Sequence, residues 1–310
     1  MSGSSHVTAG LLFAVAVFLF TFSGVYAMNS ATYQINWDSV NSGGNDVSTS
    51  TNYLLRDTIG EQATGFSSST DYTISAGYRV GDQDLPSLTF FLGTQENSTQ
   101  TAYSSFSSSS KAVVVSSVAS FSVGDLIGVV ENQGLTQRVA IGRILSIAGT
   151  TITVDAWDGV PALLSATPAG GDDYVYRMDG SSAALGTLSV TAGKTSLTGT
   201  RVNSNAQNGY TVYVNVDGDL RVSTSTFITN VTDGTVTIGS EEYGAQVYGS
   251  MATGTGSDFA FSTSTRAIQT STAIAPTEER TALVYKATIA TNTPAGNYSQ
   301  KVYYTVTPNY

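Results

Sequence analysis

The sequence predicts an all-β protein built from sandwiches or barrels. Three observations carry this. After residue 28 no segment keeps apolar residues at i, i+3, i+4 and i+7 over three turns. Alternation with period two recurs instead, in runs of β-branched and aromatic residues bounded by Gly, Asn, Asp and Ser. Charged residues make up only 12% of the 310 residues, about half the usual share, so polarity comes from Ser, Thr, Asn and Gly. A chain of this length has room for two or three domains.

In chain order the first element is an export signal. Residues 9–22 form an apolar run of 14. That is short of the roughly 20 a membrane span needs and fits a signal-peptide core. Val25 and Ala27 stand at the −3 and −1 positions of a cleavage site, so 1–27 is expected to be removed. The n-region has no Lys or Arg, which leaves a retained membrane anchor as the alternative. Residues 28–82 follow as an extended, strand-rich N-terminal segment with a weak repeat, STNYLL at 50–55 and STDYTI at 69–74. Near its start Tyr33, Ile35 and Trp37 alternate with Gln34 and Asn36, so one strand face is apolar and the other polar.

The remaining strands fall into two sets. Residues 88–93 (LTFFLG) and 184–188 (ALGTL) read as edge or opening strands of one sandwich spanning 83–96 and 183–310. Between them, 97–182 opens with a serine-rich tract and continues as VVVSSV, LIGVVEN, RVAIGRILSI, TTITVDAW and YVYRMD. This unit reads as an inserted small β domain; three modules in linear order are the alternative. FSVGDLI at 121–127 suggests a tight turn into a strand of a small barrel. Residues 141–147 and 150–154 predict a hairpin across Ala148-Gly149. Asp217-Gly218 between 210–216 and 219–222 predicts a second, with a type I′ turn. The last strand is expected over 298–306.

Two stretches carry a resemblance. YLLRDTIGEQATGFSSSTDYTISAGY at 53–78 resembles an N-terminal module of exported surface proteins of small-genome, mostly uncultured bacteria. In that group a signal peptide precedes the phrase and an immunoglobulin-like β-sandwich follows it. Asn208-Gly209-Tyr210, Glu242-Tyr243-Gly244 and TPAGNY at 293–298 fall where that sandwich has similar phrases. The closing TPAGNYSQKVYYTVTPN is also similar to the last strand of WxL-type cell-surface domains, although the Trp-x-Leu signature is absent. The resemblance covers about 28–93 and 183–310. It implies an immunoglobulin-like β-sandwich at the cell surface and no assigned enzymatic activity; residues 97–181 lie outside it, and the inserted small β-barrel-like unit is read from the strand pattern alone.

Composition excludes several chemistries. The chain has no Cys and one His, His6, which lies inside the expected signal segment. Disulfides, Cys-His and Ser-His-Asp catalysis, and zinc sites built on His or Cys are therefore closed to the exported form. A net charge of −10 with 13 Lys+Arg argues against nucleic acid. Ser108 and Lys111 match S-x-x-K only because the tract is serine-rich, and Gly193-Lys194-Thr195 lacks the first glycine of a phosphate loop, where Leu188 stands.

Asn215, Asp217 and Asp219 have the start of a calcium-loop spacing, but Leu220 and Thr226 occupy its glycine and glutamate positions. A hairpin turn explains the same residues. The acidic pairs Asp172-Asp173, Glu241-Glu242 and Glu278-Glu279 read as solvated loops, with Ca²⁺ open as a ligand at one of them and no other cofactor expected. Trp157 is the candidate ligand contact if the inserted unit binds glycan.

The residues thus point to a secreted, non-enzymatic structural protein of the cell surface that self-assembles into a filament, appendage or surface layer. The candidate assembly strand carries Tyr33, Ile35 and Trp37, which would complete the open sheet edge of a neighbouring copy; pairing of this strand within its own chain is the alternative. An adhesin or carbohydrate-binding module is the second reading. A hydrolase using two carboxylates is the third, supported only by the presence of Asp and Glu.

Overall fold

The computed structural model describes residues 87–309 and, nearer the N-terminus, four short strands. The chain divides into two units, Met1–Leu85 and Pro86–Tyr310. The expected signal segment and the strand carrying Tyr33, Ile35 and Trp37 lie outside the described residues. In the first unit β1 (Ser48–Thr49) pairs with β2 (Leu54–Leu55), and β3 (Gly65–Ser68) pairs with β4 (Thr73–Ala76), both antiparallel. The weak repeat is a repeat of local structure: Leu54-Leu55 and Thr73-Ile74 each belong to the second strand of such a pair.

The second unit holds β5 (Leu88–Thr94), β6 (Thr101–Ser107), β7 (Ala112–Val115), β8 (Leu126–Glu131), β9 (Arg138–Ala148), β10 (Thr151–Val154), β11 (Asp158–Gly159) and β12 (Tyr174–Arg177). It continues with β13 (Lys194–Ser204), β14 (Tyr210–Val216), β15 (Leu220–Ser223), β16 (Thr226–Ile228), β17 (Glu242–Tyr248), β18 (Arg266–Ser271), β19 (Ala275–Thr288) and β20 (Val302–Pro308). Helix among the described residues is limited to two 3₁₀ turns, Asn97–Thr99 and Pro161–Leu163. None is long and apolar enough to cross a membrane. All strand pairs are antiparallel.

Strands of 101–177 close on themselves. The pairing runs β10-β7-β6-β12-β8-β9, and β9 pairs back to β10 across Gly149, which has φ +60°. β9 serves both ends because it is long: its first half pairs with β8, its second half with β10. The turn before β8 is pinned by the Asp125 carboxylate accepting from the Ser122 N–H, with Gly124 at φ +97°. Phe106, Val113, Phe121, Ile127, Val129, Ala140, Ile144, Ile152 and Val175 fill the ring.

The sandwich has two sheets, β17-β19-β13-β5 and β18-β14-β20. β5 pairs along β13 from Thr94↔Thr198 to Leu88↔Ser204, so the ring departs and returns between two neighbouring strands. Thr94 and Gly180 exchange both backbone hydrogen bonds at 3.0 Å where the chain leaves and re-enters. Val202, Tyr210, Val212, Val214, Tyr243, Ala245, Ile268, Leu283 and Tyr285 form the core between the sheets.

The four-stranded sheet is covered on both faces. On β19, Leu283, Tyr285 and Ala287 face the sandwich core, while Ala282 and Val284 face the ring. On β8, Ile127 and Val129 point into the ring, and Leu126 and Val130 point out against Leu197 of β13. β8 is therefore buried at every residue, although an antiparallel strand with one wet face would alternate. Each fully buried Val, Leu or Ile at this contact contributes about 1.5–3 kcal/mol. Glycines let the layers close. A Cβ on Gly128 would meet Leu197 Cδ2 at 2.5 Å and Met178 Sδ at 3.0 Å, and one on Gly93 would overlap the Met178 carbonyl oxygen.

Three local expectations are corrected. Asp217-Gly218 does not join a hairpin, because both edges of β14 are taken by β18 and β20 and β15 pairs with β16 instead. Positive φ occurs at Gly218 but not at Asp217, which rules out a type I′ turn. Residues 184–188 form no strand. Glu278-Glu279 is not a loop but part of β19.

Candidate functional site

The side of the sandwich between β5 and β20 holds an unpaired strand edge. β20 pairs only with β14, from Val302↔Val216 to Pro308↔Tyr210. Among the described residues no bridge or backbone hydrogen bond reaches its other edge. Its residues alternate, with Val302, Tyr304 and Val306 half-buried against the core and Tyr303, Thr305 and Thr307 exposed.

A groove of about 1040 Å³ runs beside this edge. One wall is 293–304 and the other is 181–188, with Leu92, Leu220, Tyr243 and Tyr285 among the lining residues. Beneath Tyr243 and Tyr285 the rings are packed together: Phe261 stacks on both, with ring centroids 5.2 and 5.4 Å apart. The Tyr285 and Tyr304 hydroxyls lie 2.6 Å apart and Tyr243 donates to Gln300 at 3.0 Å. Burial pushes the Tyr243, Tyr285 and Tyr304 phenols up, so they remain neutral hydrogen-bonding groups in water at ordinary pH. In the wall, Ala183, Leu185 and Leu188 touch the sandwich core. The same stretch makes only a local backbone bond, Ala184 N–H to Ser182 C=O, so it covers apolar surface without pairing a strand.

A second cluster joins the ring to the four-stranded sheet. Arg280 of β19 is 1% exposed at its side chain. It donates to Asp155 at 2.5 Å, to Glu278 at 2.8 Å and to the Ala156 carbonyl at 3.3 Å, with Asp158 3.9 Å away. Arg143 and Arg201 complete the charge balance on Glu278 at 3.3 and 3.1 Å. Burial pushes the Asp155 carboxyl up, but Arg280 and the N–H groups of Ala156 and Arg143 outweigh it and hold it below the usual carboxylate range. Burial dominates at Asp158 and raises it. Every acid here has a cationic partner, which is what a fixed interlayer contact requires. From the sequence, Glu278-Glu279 reads as a solvated loop and Arg280 is not singled out, because period-two patterning cannot show a strand covered on both faces.

The other singled-out residues have the following surroundings. Trp157 is half-buried, its ring 5.1 Å from Phe106 on the edge of the ring core. Asp217 accepts from the Lys301 N–H and pairs with Arg221, and Asp219 accepts from Asn230. Asp173 is buried and accepts from the N–H groups of Asn132 and Gly170. Glu241 accepts from Thr293, and Glu242 from the Thr237 N–H. Glu279 accepts from Tyr210 at 2.7 Å inside the sandwich. Among the described residues no three His, Asp or Glu are grouped as metal ligands.

No family model, curated protein or solved structure matches this chain.

Proposed function

We propose that this chain is an exported, non-enzymatic structural protein of the cell surface that assembles with itself by strand addition. The observation that carries the reading is the unpaired, uncharged edge of β20 beside a groove of mixed polarity. Natural sheets guard such edges with charge, proline or a covering segment, and VYYTVTP offers only Pro308 at its end.

We further propose that the sandwich is immunoglobulin-like. β5, β13, β19 and β17 stand in the order of strands A, B, E and D of that fold, and β14 and β20 stand as C and F. Strand G would pair with the outer edge of F, and among the described residues no strand lies there. A vacant G position beside β20 gives assembly by strand addition a reason; β18, on the other side of β14, has no counterpart in this A-to-F correspondence. The first test is light scattering and negative-stain microscopy on the purified full chain over a concentration series. Filaments or sheets with a regular repeat are the expected result, and a monomer at every concentration overturns the reading.

The second reading is an adhesin or carbohydrate-binding module acting through 97–182. Its support is exposed apolar surface on that unit, at Val123 (65%) and Leu145 (61%). A glycan array and a host-surface binding assay on the unassembled chain test it, with saturable binding lost in Val123→Asp as the expected sign.

A further inference from the structure

We propose that the outer edge of β20 receives residues 33–38 of a second copy of this chain, added antiparallel with Ile35 opposite Tyr304. The proposal rests on the self-assembly reading and names its joint.

The other edges of the sandwich are engaged to differing degrees. β17 is bridged on its outer side by Tyr243↔Asn230 and Ala245↔Phe259, β18 by Gln269↔Ala252, and β5 by Thr94↔Gly180. β20 alone among these four strands presents its full length, and it carries no charge. Seven residues of strand extend about 24 Å and six about 20 Å, so 33–38 fits within it.

The side-chain pattern selects the register. Directly opposed residues of an antiparallel pair share a face. With Ile35 opposite Tyr304, Tyr33 meets Val306 and Trp37 meets Val302, all on the half-buried side of β20. Gln34 then faces Thr305 and Asn36 faces Tyr303 on the exposed side. A slip by one residue would turn all three apolar side chains into water. Direction is selected by charge. In this register Asp38 lies opposite Lys301, which is exposed and forms no ion pair among the described residues. The parallel arrangement would carry Asp38 to the uncharged end at Pro308.

The absence of native Cys makes the test clean. Full chains carrying Asn36→Cys and full chains carrying Tyr303→Cys are mixed and oxidised. Directly opposed positions bring Cα atoms within disulfide reach. A disulfide-linked heterodimer is expected from this mixture and not from Asn36→Cys mixed with Thr270→Cys on β18. Ile35→Asp should raise the concentration needed for assembly about tenfold or more, and Gln34→Asp much less.

Regular particles without the specific disulfide overturn the joint and leave the assembly reading standing. A disulfide that forms only inside single chains carrying both Asn36→Cys and Tyr303→Cys overturns it in favour of the chain's own strand. Failure of the wild-type chain to assemble at any concentration overturns the assembly reading itself.

Discussion

Asp258→Ala should cost this protein more stability than any other single removal of a carboxylate among the described residues. Asp258 and Lys286 are each 5% exposed at the side chain, with Nζ and Oδ1 2.6 Å apart. The other carboxylate oxygen accepts from the Val236 N–H at 2.8 Å. Removing the carboxylate leaves a buried ammonium with Gln246 Oε1, at 2.8 Å, as its remaining partner, and an unsatisfied Val236 N–H. Breaking a buried pair from one side costs about 3–5 kcal/mol. At about 2–4 °C per kcal/mol for a unit of this size, the midpoint should fall by about 6–20 °C.

Thermal unfolding followed by near-ultraviolet circular dichroism and by calorimetry reads this directly. The double variant Asp258→Leu with Lys286→Met should recover most of the loss, because it removes both charges and keeps the volume. A single-variant loss under about 1 kcal/mol would refute the argument from burial. So would a double variant as unstable as the single one, since the penalty would then not come from an unpaired charge.

Other predictions concern the layer contact and the groove. Gly93→Ala should destabilise more than Gly128→Ala, whose cost is about 1–3 kcal/mol; the first Cβ meets backbone and the second meets side-chain ends that can turn. Chemical denaturation of the two variants checks the order. Asp155 is held low in the fold, so its contribution is present above the ordinary carboxylate range and is lost as pH falls through its folded value. Asp158 is raised, so its contribution is present at acid pH and is lost as pH rises. Replacing each by Asn should therefore change the slope of stability against pH in opposite senses. Deleting 28–40 should abolish regular particles while leaving the unfolding midpoint of the second unit unchanged; a shifted midpoint would indicate that the strand serves its own chain.

Legibility in the sequence follows the number of faces a strand has to satisfy. Where one partner is adjacent in the chain, as for β9 and β10, alternation and a glycine turn are enough to predict the pairing. The 210–222 hairpin fails because local turn chemistry competes with long-range pairing. β14 is central, and its partners lie more than fifty residues downstream. At 184–188 the pattern is apolar enough to suggest a strand, yet neither neighbouring edge pairs with it. Its burial comes from contact with the core alone. Arg280 is the instructive case among the site residues. Its partners come from the ring and from its own strand, and only the stacking of ring on sheet makes it a buried cation.

The layered order also bears on the two functional readings. β20 belongs to the three-stranded sheet, whereas the ring packs on the outer face of the four-stranded sheet. The two lie on opposite sides of β13 and β19, so a strand added to β20 extends the layer farther from the ring. Assembly and partner binding by the ring then occupy different surfaces and should not compete. If the ring binds a glycan, its affinity should be the same within about twofold in assembled and monomeric protein, while the number of sites per particle rises and avidity with it. Loss of binding on assembly would place the ring at the joint between copies, and that would contradict β20 as the acceptor.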